Sequence, residues 1–259
     1  MKTMILIICC FISHINLVLA SEICFVTKEN NEIIQKEGDC NKPYPPQSTF
    51  KIALSIIGFD SGILKSESNP SWSLPPKTDP YINVCNGNHN PRTWIRDSCL
   101  WYSRILTTKL GIEKFQDYVT KFSYGNMDLS GGVADAWVSS SLKISPEEQT
   151  HFLQKLIDRK FPISQKSYEK TKKIMFIQEM PGGWNLYGKT GNGILLDING
   201  NKTEFQHGWF VGYIEKENRR IVFATHIVDT EKQNTYASFR ARNEALIKLW
   251  YLINDMEKI

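Results

Sequence analysis

Apolar positions follow two rhythms along this chain, and the places where one gives way to the other outline its organisation. Residues 22–37 alternate in two short runs, 23–28 and 33–36, joined by a turn over 28–32, which predicts a two-stranded ribbon. A proline-rich approach follows. Ile52, Ala53, Ile56, Ile57 and Phe59 then predict a helix buried on most of its circumference. Residues 60–92 are rich in Ser, Asn, Pro and Gly and carry neither period; such a stretch often lines a functional site and is otherwise a surface excursion. Helical spacing resumes over 92–110, with Asp97 or Ser98 as a cap at its start. It returns over 112–122, up to the turn signal Tyr124-Gly125-Asn126. Ser145-Pro146-Glu147-Glu148 has the proline and acids of a helix start, so a helix is expected from there to about residue 158, with an amphipathic one over 167–177.

Near Gly183 the rhythm changes. Residues 184–191, 208–215 and 221–227 are rich in Trp, Tyr, Val, Ile and Phe, with Gly and Asn clusters between them, and predict strands of an antiparallel sheet. The last segment, 239–256, places Ala241, Ala245, Leu246, Leu249, Leu252, Ile253 and Met256 on one face of a helix lying on that sheet. Strands at both ends and helices between them give an expected α+β fold. Its antiparallel sheet comes from about 21–47 and 183–259 and is flanked by helices, with an inserted helical lobe over about 60–180 and a cleft where the two meet. With no repeat and no linker, residues 21–259 read as one domain.

Composition changes this picture little. The net charge of +4, of which Lys2 supplies one, is too small to imply a nucleic-acid partner. Residues 1–20 matter more. Lys2, an apolar core over 4–12, and Val18 and Ala20 ahead of Ser21 read as a cleavable signal peptide. Its apolar run is broken by Ser13, His14 and Asn16 and is too short for a permanent anchor, and no second long apolar run follows. A soluble exported protein is therefore expected, periplasmic or secreted and without a membrane anchor. Export permits disulfides. Cys24, Cys40, Cys85 and Cys99 remain after the leader and allow three complete pairings; the ribbon would bring Cys24 and Cys40 together. These cysteines form no C-x-x-C pair and the histidines no cluster, so no metal is expected.

The chemistry begins where the buried helix starts, at Pro45-Pro46-Gln47-Ser48-Thr49-Phe50-Lys51. Ser48 falls at or just inside the first turn, near the positive end of the helix dipole, with its own N–H free to meet an oxyanion. Lys51 lies three residues on, on the same face and among Ile and Phe, where its charged form is penalised and a neutral amine becomes accessible. A serine beside a desolvated lysine is a workable nucleophile and base. Ser-x-x-Lys alone is common by chance. Lys189-Thr190-Gly191 closes a predicted strand, where the lysine can hold a substrate carboxylate, the threonine can donate and the glycine permits close approach. Ser98-Cys99-Leu100 offers a second hydroxyl able to relay a proton. Taken singly, Lys189 is a surface strand residue, Ser98 a cap, Tyr124-Gly125-Asn126 a plain turn and Trp137 a core anchor. Their order and separation together are what make them informative.

In that order the chain resembles the class D (OXA-type) β-lactamases, among the penicillin-recognising serine enzymes, from about residue 47 to the last helix. The likeness rests on Ser48-Thr49-Phe50-Lys51, Asp97-Ser98, Phe122-Ser123-Tyr124-Gly125-Asn126, Ser130-Gly131-Gly132 with Trp137, Lys189-Thr190-Gly191 and Gly208-Trp209-Phe210-Val211-Gly212. The Tyr-Gly-Asn element and the placed tryptophan favour class D over class A, whose equivalent is S-D-N. Leu100 stands where the family commonly has valine; it keeps an apolar wall beside Lys51 but adds volume.

The resemblance implies a β-lactam substrate and a Ser48 acyl-enzyme. It implies that Lys51 reacts with CO2 (or bicarbonate) to give N6-carboxylysine, the general base of both half-reactions, held by the indole N–H of Trp137, and that no metal or bound cofactor is needed. An oxyanion would lie between the N–H groups of Ser48 and Asn192, while Ser98, assisted by Lys189, passes a proton to the departing nitrogen. Lys189, Thr190, Gly191 and Asn192 would line the substrate site. An arginine near the start of the last helix would hold the substrate carboxylate; Arg240 and Arg242 both offer the bidentate fork, and counting to Ala245, Leu249 and Trp250 favours Arg242. A homodimer is compatible with the family. Two rivals share the fold: a β-lactam-sensing receptor domain, acylated but barely turned over, and a D-Ala-D-Ala peptidase of cell-wall synthesis. Both would usually carry tethers or further domains, of which the sequence offers no sign.

Overall fold

A computed structural model describes residues 21–258, so the expected signal peptide lies outside the described residues. In chain order the elements are β1 (Ser21–Glu29), β2 (Glu32–Glu37), α1 (Lys51–Asp60), β3 (Trp72–Ser73), β4 (Asn88–His89), α2 (Pro91–Asp97), α3 (Leu100–Leu110), α4 (Ile112–Phe122), α5 (Pro146–Ile157), α6 (Gln165–Met175), β5 (Phe176–Met180), β6 (Trp184–Leu196), β7 (Lys202–Lys216), β8 (Arg219–Asp229) and α7 (Ala237–Glu257). Six of the strands form one antiparallel sheet in the order β2-β1-β8-β7-β6-β5. This is the α+β fold expected from the pattern, with the ribbon β1–β2 closing one side of the sheet. Asn30 and Asn31 make its two-residue turn with φ of 51° and 69°, a conformation asparagine tolerates better than most residues.

The sheet is buried on both faces, which is why its central strands read as nearly continuous apolar runs. Phe210 and Ile214 of β7 and Ile221, Phe223 and Ile227 of β8 face α7, meeting Ala241, Ala245, Leu249 and Ile253. Their neighbours Trp209, Val211, Tyr213, Val222 and Ala224 face the helical lobe and join the larger core around α1. Small residues set the spacing: a Cβ on Gly208 would lie 2.1 Å from the backbone of Ala237, so glycine there lets α7 start directly against β7.

Two expectations about the middle of the chain need correction. The helix expected over 92–110 is two helices, α2 and α3, because Asn90 and Thr93 form a capping box at Pro91 and the chain turns at Ser98 with φ 65°. Neither Asp97 nor Ser98 caps α3; Cys99 stands at that position and makes no side-chain cap. The helix expected over 167–177 begins earlier, at Gln165 with Ser164 as cap, and passes at Phe176 into β5, an edge strand the apolar pattern did not reveal. Two disulfides close the loops, Cys24–Cys40 as the ribbon suggested and Cys85–Cys99. In the chain-entropy account, each stabilises by about 3 kcal/mol.

Candidate active site

Pro45 and Pro46 lead into a 3-10 turn, Gln47–Phe50, which continues directly into α1. Ser48 stands in that turn and Lys51 opens the helix. Lys51 Nζ donates to Ser48 Oγ at 2.9 Å. The lysine has no exposed surface. Burial first, and then the nearby Lys189 cation, push its pKa well below the usual lysine value, which favours the neutral amine inferred from its apolar neighbours. Phe50 builds the wall beside it, with ring contacts to Tyr124 at 5.0 Å, Trp137 at 5.6 Å and Phe115 at 5.8 Å. Trp137 is fully buried, and its indole N–H has no hydrogen-bond acceptor among the described residues. A buried donor left unpaired costs about 1–3 kcal/mol, so this one marks a place where an acceptor would be welcome.

Lys189, Thr190, Gly191 and Asn192 lie on β6 where the sheet is open. β5 accompanies β6 only as far as the Phe176–Tyr187 pair, so residues 188–192 have no strand on their outer edge. A Cβ on Gly191 would lie 2.9 Å from Pro46 O and 3.2 Å from Ser48 N; glycine here brings the strand against the nucleophile's turn. Lys189 is 5% exposed and donates to Thr190 O at 3.1 Å. Burial pushes its pKa down to about 8, while Asp97 opposes that change. Near neutrality Lys189 therefore stays mainly cationic, while Lys51 is pushed further toward the neutral amine. Asn192 turns its side chain away from Ser48, donating to Gln206 Oε1 and accepting from Ser238 N, each at 3.0 Å. Ser98 follows Asp97 in the α2–α3 turn, and its hydroxyl makes no hydrogen bond among the described residues.

The two arginines of α7 separate cleanly. Arg240 donates to Asp229 at 2.6 Å and to Ser21 Oγ at 2.9 Å, joining α7 to β8 and β1. Arg242 makes no ion pair among the described residues, and its Nε is buried without a partner. The turn Tyr124-Gly125-Asn126 is a brace rather than a lining. Tyr124 OH donates to Gln149 Oε1 at 3.4 Å, and Gln149 Nε2 donates to Thr49 Oγ1 at 3.0 Å, beside Ser48. Asn126 Nδ2 donates to Ser141 O at 2.8 Å and Asn126 Oδ1 accepts from Lys143 N at 2.9 Å, fixing the loop that carries Trp137.

Sequence reasoning passed over three residues here. Gln47 has φ 53° and is buried; its N–H donates to Trp137 O at 3.0 Å and its Nε2 to Ser139 Oγ at 2.7 Å. The same Nε2 lies 3.3 Å from His207 Nε2, and His207 Nδ1 lies 3.1 Å from His226 Nε2. An amide nitrogen only donates, so His207 Nε2 must accept and its proton sits on Nδ1. Burial holds that imidazole neutral, with a pKa down to about 4. Nothing local in the sequence signals this chain, because its members are 92 and 160 residues apart. The described residues gather no three His, Cys, Asp or Glu side chains as a metal ion would need.

The chain matches the penicillin-binding protein transpeptidase domain family over residues 24–249. It is 38% identical to β-lactamase OXA-9 of Klebsiella pneumoniae over 86% of this chain and 84% of that one. The crystal structure of the OXA-427 class D β-lactamase superposes with a TM-score of 0.85 at 35% identity, covering 90% of this chain and 99% of that one. The chain belongs to the class D β-lactamases. This β-lactamase also superposes on the C-terminal domain of the Bacillus licheniformis BlaR penicillin-receptor, with a TM-score of 0.78 at 28% identity over 91% of each chain. Fold alone therefore does not separate turnover from sensing; membership of the class D β-lactamases is what bears on it.

Proposed function

We propose that this chain is an exported serine β-lactamase that opens the lactam amide of penicillin-type antibiotics through an acyl-enzyme on Ser48. The reading rests above all on one observation: Lys51, without exposed surface and depressed in pKa, lies 2.9 Å from Ser48 Oγ. Ser48 attacks the lactam carbonyl as its proton passes to the base at Lys51. The oxyanion is held by the N–H groups of Ser48 and Asn192. Ser98, assisted by Lys189, hands a proton to the departing nitrogen. Lys189, Thr190 and Gly191 line the open edge of β6 along the substrate. Arg242, which has no acidic partner among the described residues, holds the substrate carboxylate, a task from which the Asp229 pair withdraws Arg240.

The site also fits a carbamate on Lys51. Carbamylation needs an uncharged amine, and the buried unpaired N–H of Trp137 is a donor waiting for an anionic oxygen. The carbamate would supply a carboxylate base for both acylation and deacylation.

The test is turnover of a chromogenic cephalosporin by the purified mature protein, in degassed buffer and with bicarbonate restored. Many turnovers per enzyme are expected, with activity lost on degassing at mildly acidic pH and recovered with bicarbonate. A burst of one equivalent and no more would instead make the chain a sensor like the receptor domain it superposes on. Release of D-alanine from cell-wall peptides in place of lactam turnover would make it a peptidase.

A further inference from the structure

Ser98 presents a problem of positioning. It occupies the left-handed region, its side chain makes no hydrogen bond among the described residues, and the helix before it is only seven residues long. Its N–H and that of Cys99 both reach for the same acceptor, Trp94 O. Yet three of the residues around it converge on one other residue. Cys99 is bonded to Cys85, Trp101 Nε1 donates to Cys85 O at 2.8 Å, and Cys85 Sγ lies 3.4 Å from Asp97 O. Cys85 and Cys99 are both fully buried. Cys85 itself belongs to the irregular excursion between α1 and α2, in a short 3-10 turn, Asn83–Cys85.

The structure assigns to Cys85, through its disulfide with Cys99, the role of positioning residue for Ser98. Without that bond the Ser98–Cys99 link between α2 and α3 would keep only non-covalent ties, the Trp101 Nε1–Cys85 O hydrogen bond and the 3.7 Å approach of His89 Nδ1 to Asp97 Oδ2 among them, and a left-handed serine is free to relax toward the commoner right-handed conformations. With the bond, Cys99 is tied covalently to the buried point that Asp97 and Trp101 also touch, and the hydroxyl between them keeps one direction. The same bond gives the excursion a function beyond covering the surface: it supplies the anchor. The inference rests on the reading of Ser98 as the group that protonates the departing nitrogen, a step of acylation and not of deacylation.

The experiment replaces the pair by apolar residues suited to a buried site, Cys85→Ala with Cys99→Val, and follows acylation and deacylation separately by single-turnover kinetics. The control pair is Cys24→Ala with Cys40→Ala, which opens a loop of similar span, 16 residues against 14, on the far edge of the sheet. Both pairs are expected to lower the melting temperature to a similar degree. Only the first is expected to slow acylation, by about tenfold or more, because small misplacements of a proton-transfer group carry penalties of that size; its deacylation rate should change little. An unchanged acylation rate in the first pair, or an equal slowing in both, overturns the proposal. If the first pair does not fold, wild-type chain refolded with its cysteines reduced reports the acylation rate without the Cys85–Cys99 bond, compared with the control pair kept oxidised so that only this bond distinguishes the two. Ser98→Ala is measured alongside: acylation at the wild-type rate there would refute the role given to Ser98 itself, whatever the cysteines do.

Discussion

A lysine with no exposed surface must lose its proton or its place, and Lys51 keeps its place. An ordinary lysine is protonated in the unfolded chain at neutral pH, whereas Lys51 in the fold is pushed toward the neutral amine, so folding releases a proton and the residue weakens the fold. The penalty is absent above the ordinary lysine value of 10.5, grows as pH falls below it, and levels off beneath the depressed folded value. In degassed buffer, where the amine stays free, Lys51→Met is therefore expected to melt at a higher temperature than wild type, with the gain shrinking as pH is raised toward 10.5, and in bicarbonate buffer to lose hydrolysis by at least about a thousandfold. Thermal melts across pH alongside initial rates check both halves; an unchanged melting temperature would mean that the amine is solvated. This residue was legible in the sequence because its surroundings are local: Phe50, Ile52 and the apolar turns of α1 follow from spacing. Gln47 was not. Its partners Ser139 and His207 are distant in the chain, and no periodicity places them together.

At the level of elements, legibility tracked the strength of local end signals. α5 carries a full set: Ser145 Oγ accepts from Glu148 N at 3.2 Å, and Glu148 Oε2 accepts from Ser145 N at 2.7 Å, ahead of Pro146. Its start was read from four residues, and α4 was placed from residue 112 to 122, where it lies. Ser145→Ala should cost about 1 kcal/mol, lowering the midpoint of denaturant unfolding while leaving the turnover number unchanged. A loss of activity at unchanged stability would instead tie α5 to the site. The α2–α3 break was missed for the opposite reason. Apolar spacing continues across it, and what holds Ser98 in a left-handed turn is a tertiary tie to Cys85, with no glycine or proline to announce the interruption. β5 escaped notice as a five-residue edge strand, mostly exposed, that lacks alternation.

The whole molecule is a sheet between two cores, and its corner is closed by charge. Asp229 has no exposed side-chain surface, and Arg240 binds it from α7 while reaching Ser21 of β1. Breaking a buried pair by removing one partner typically costs about 3–5 kcal/mol, so Arg240→Ala should unfold at markedly lower temperature with KM for a penicillin nearly unchanged. Arg242→Ala should do the reverse, raising KM about tenfold or more with a small change in melting temperature. Identical effects in the two variants would dissolve the distinction. The family of folds was readable at this scale because the change of rhythm near Gly183 is abrupt; which arginine is committed to structure was not, since Asp229 meets Arg240 only once α7 has packed.

One further consequence follows from how short β5 is. An unpaired strand edge invites pairing with whatever extended chain comes near. On β6 the unpaired edge includes the residues beside Ser48, and the last turn of α6 decides where it begins. Were β5 to continue past Tyr187 by two or three residues, the sheet would be better finished and the entrance to the serine would be closed by the protein's own backbone.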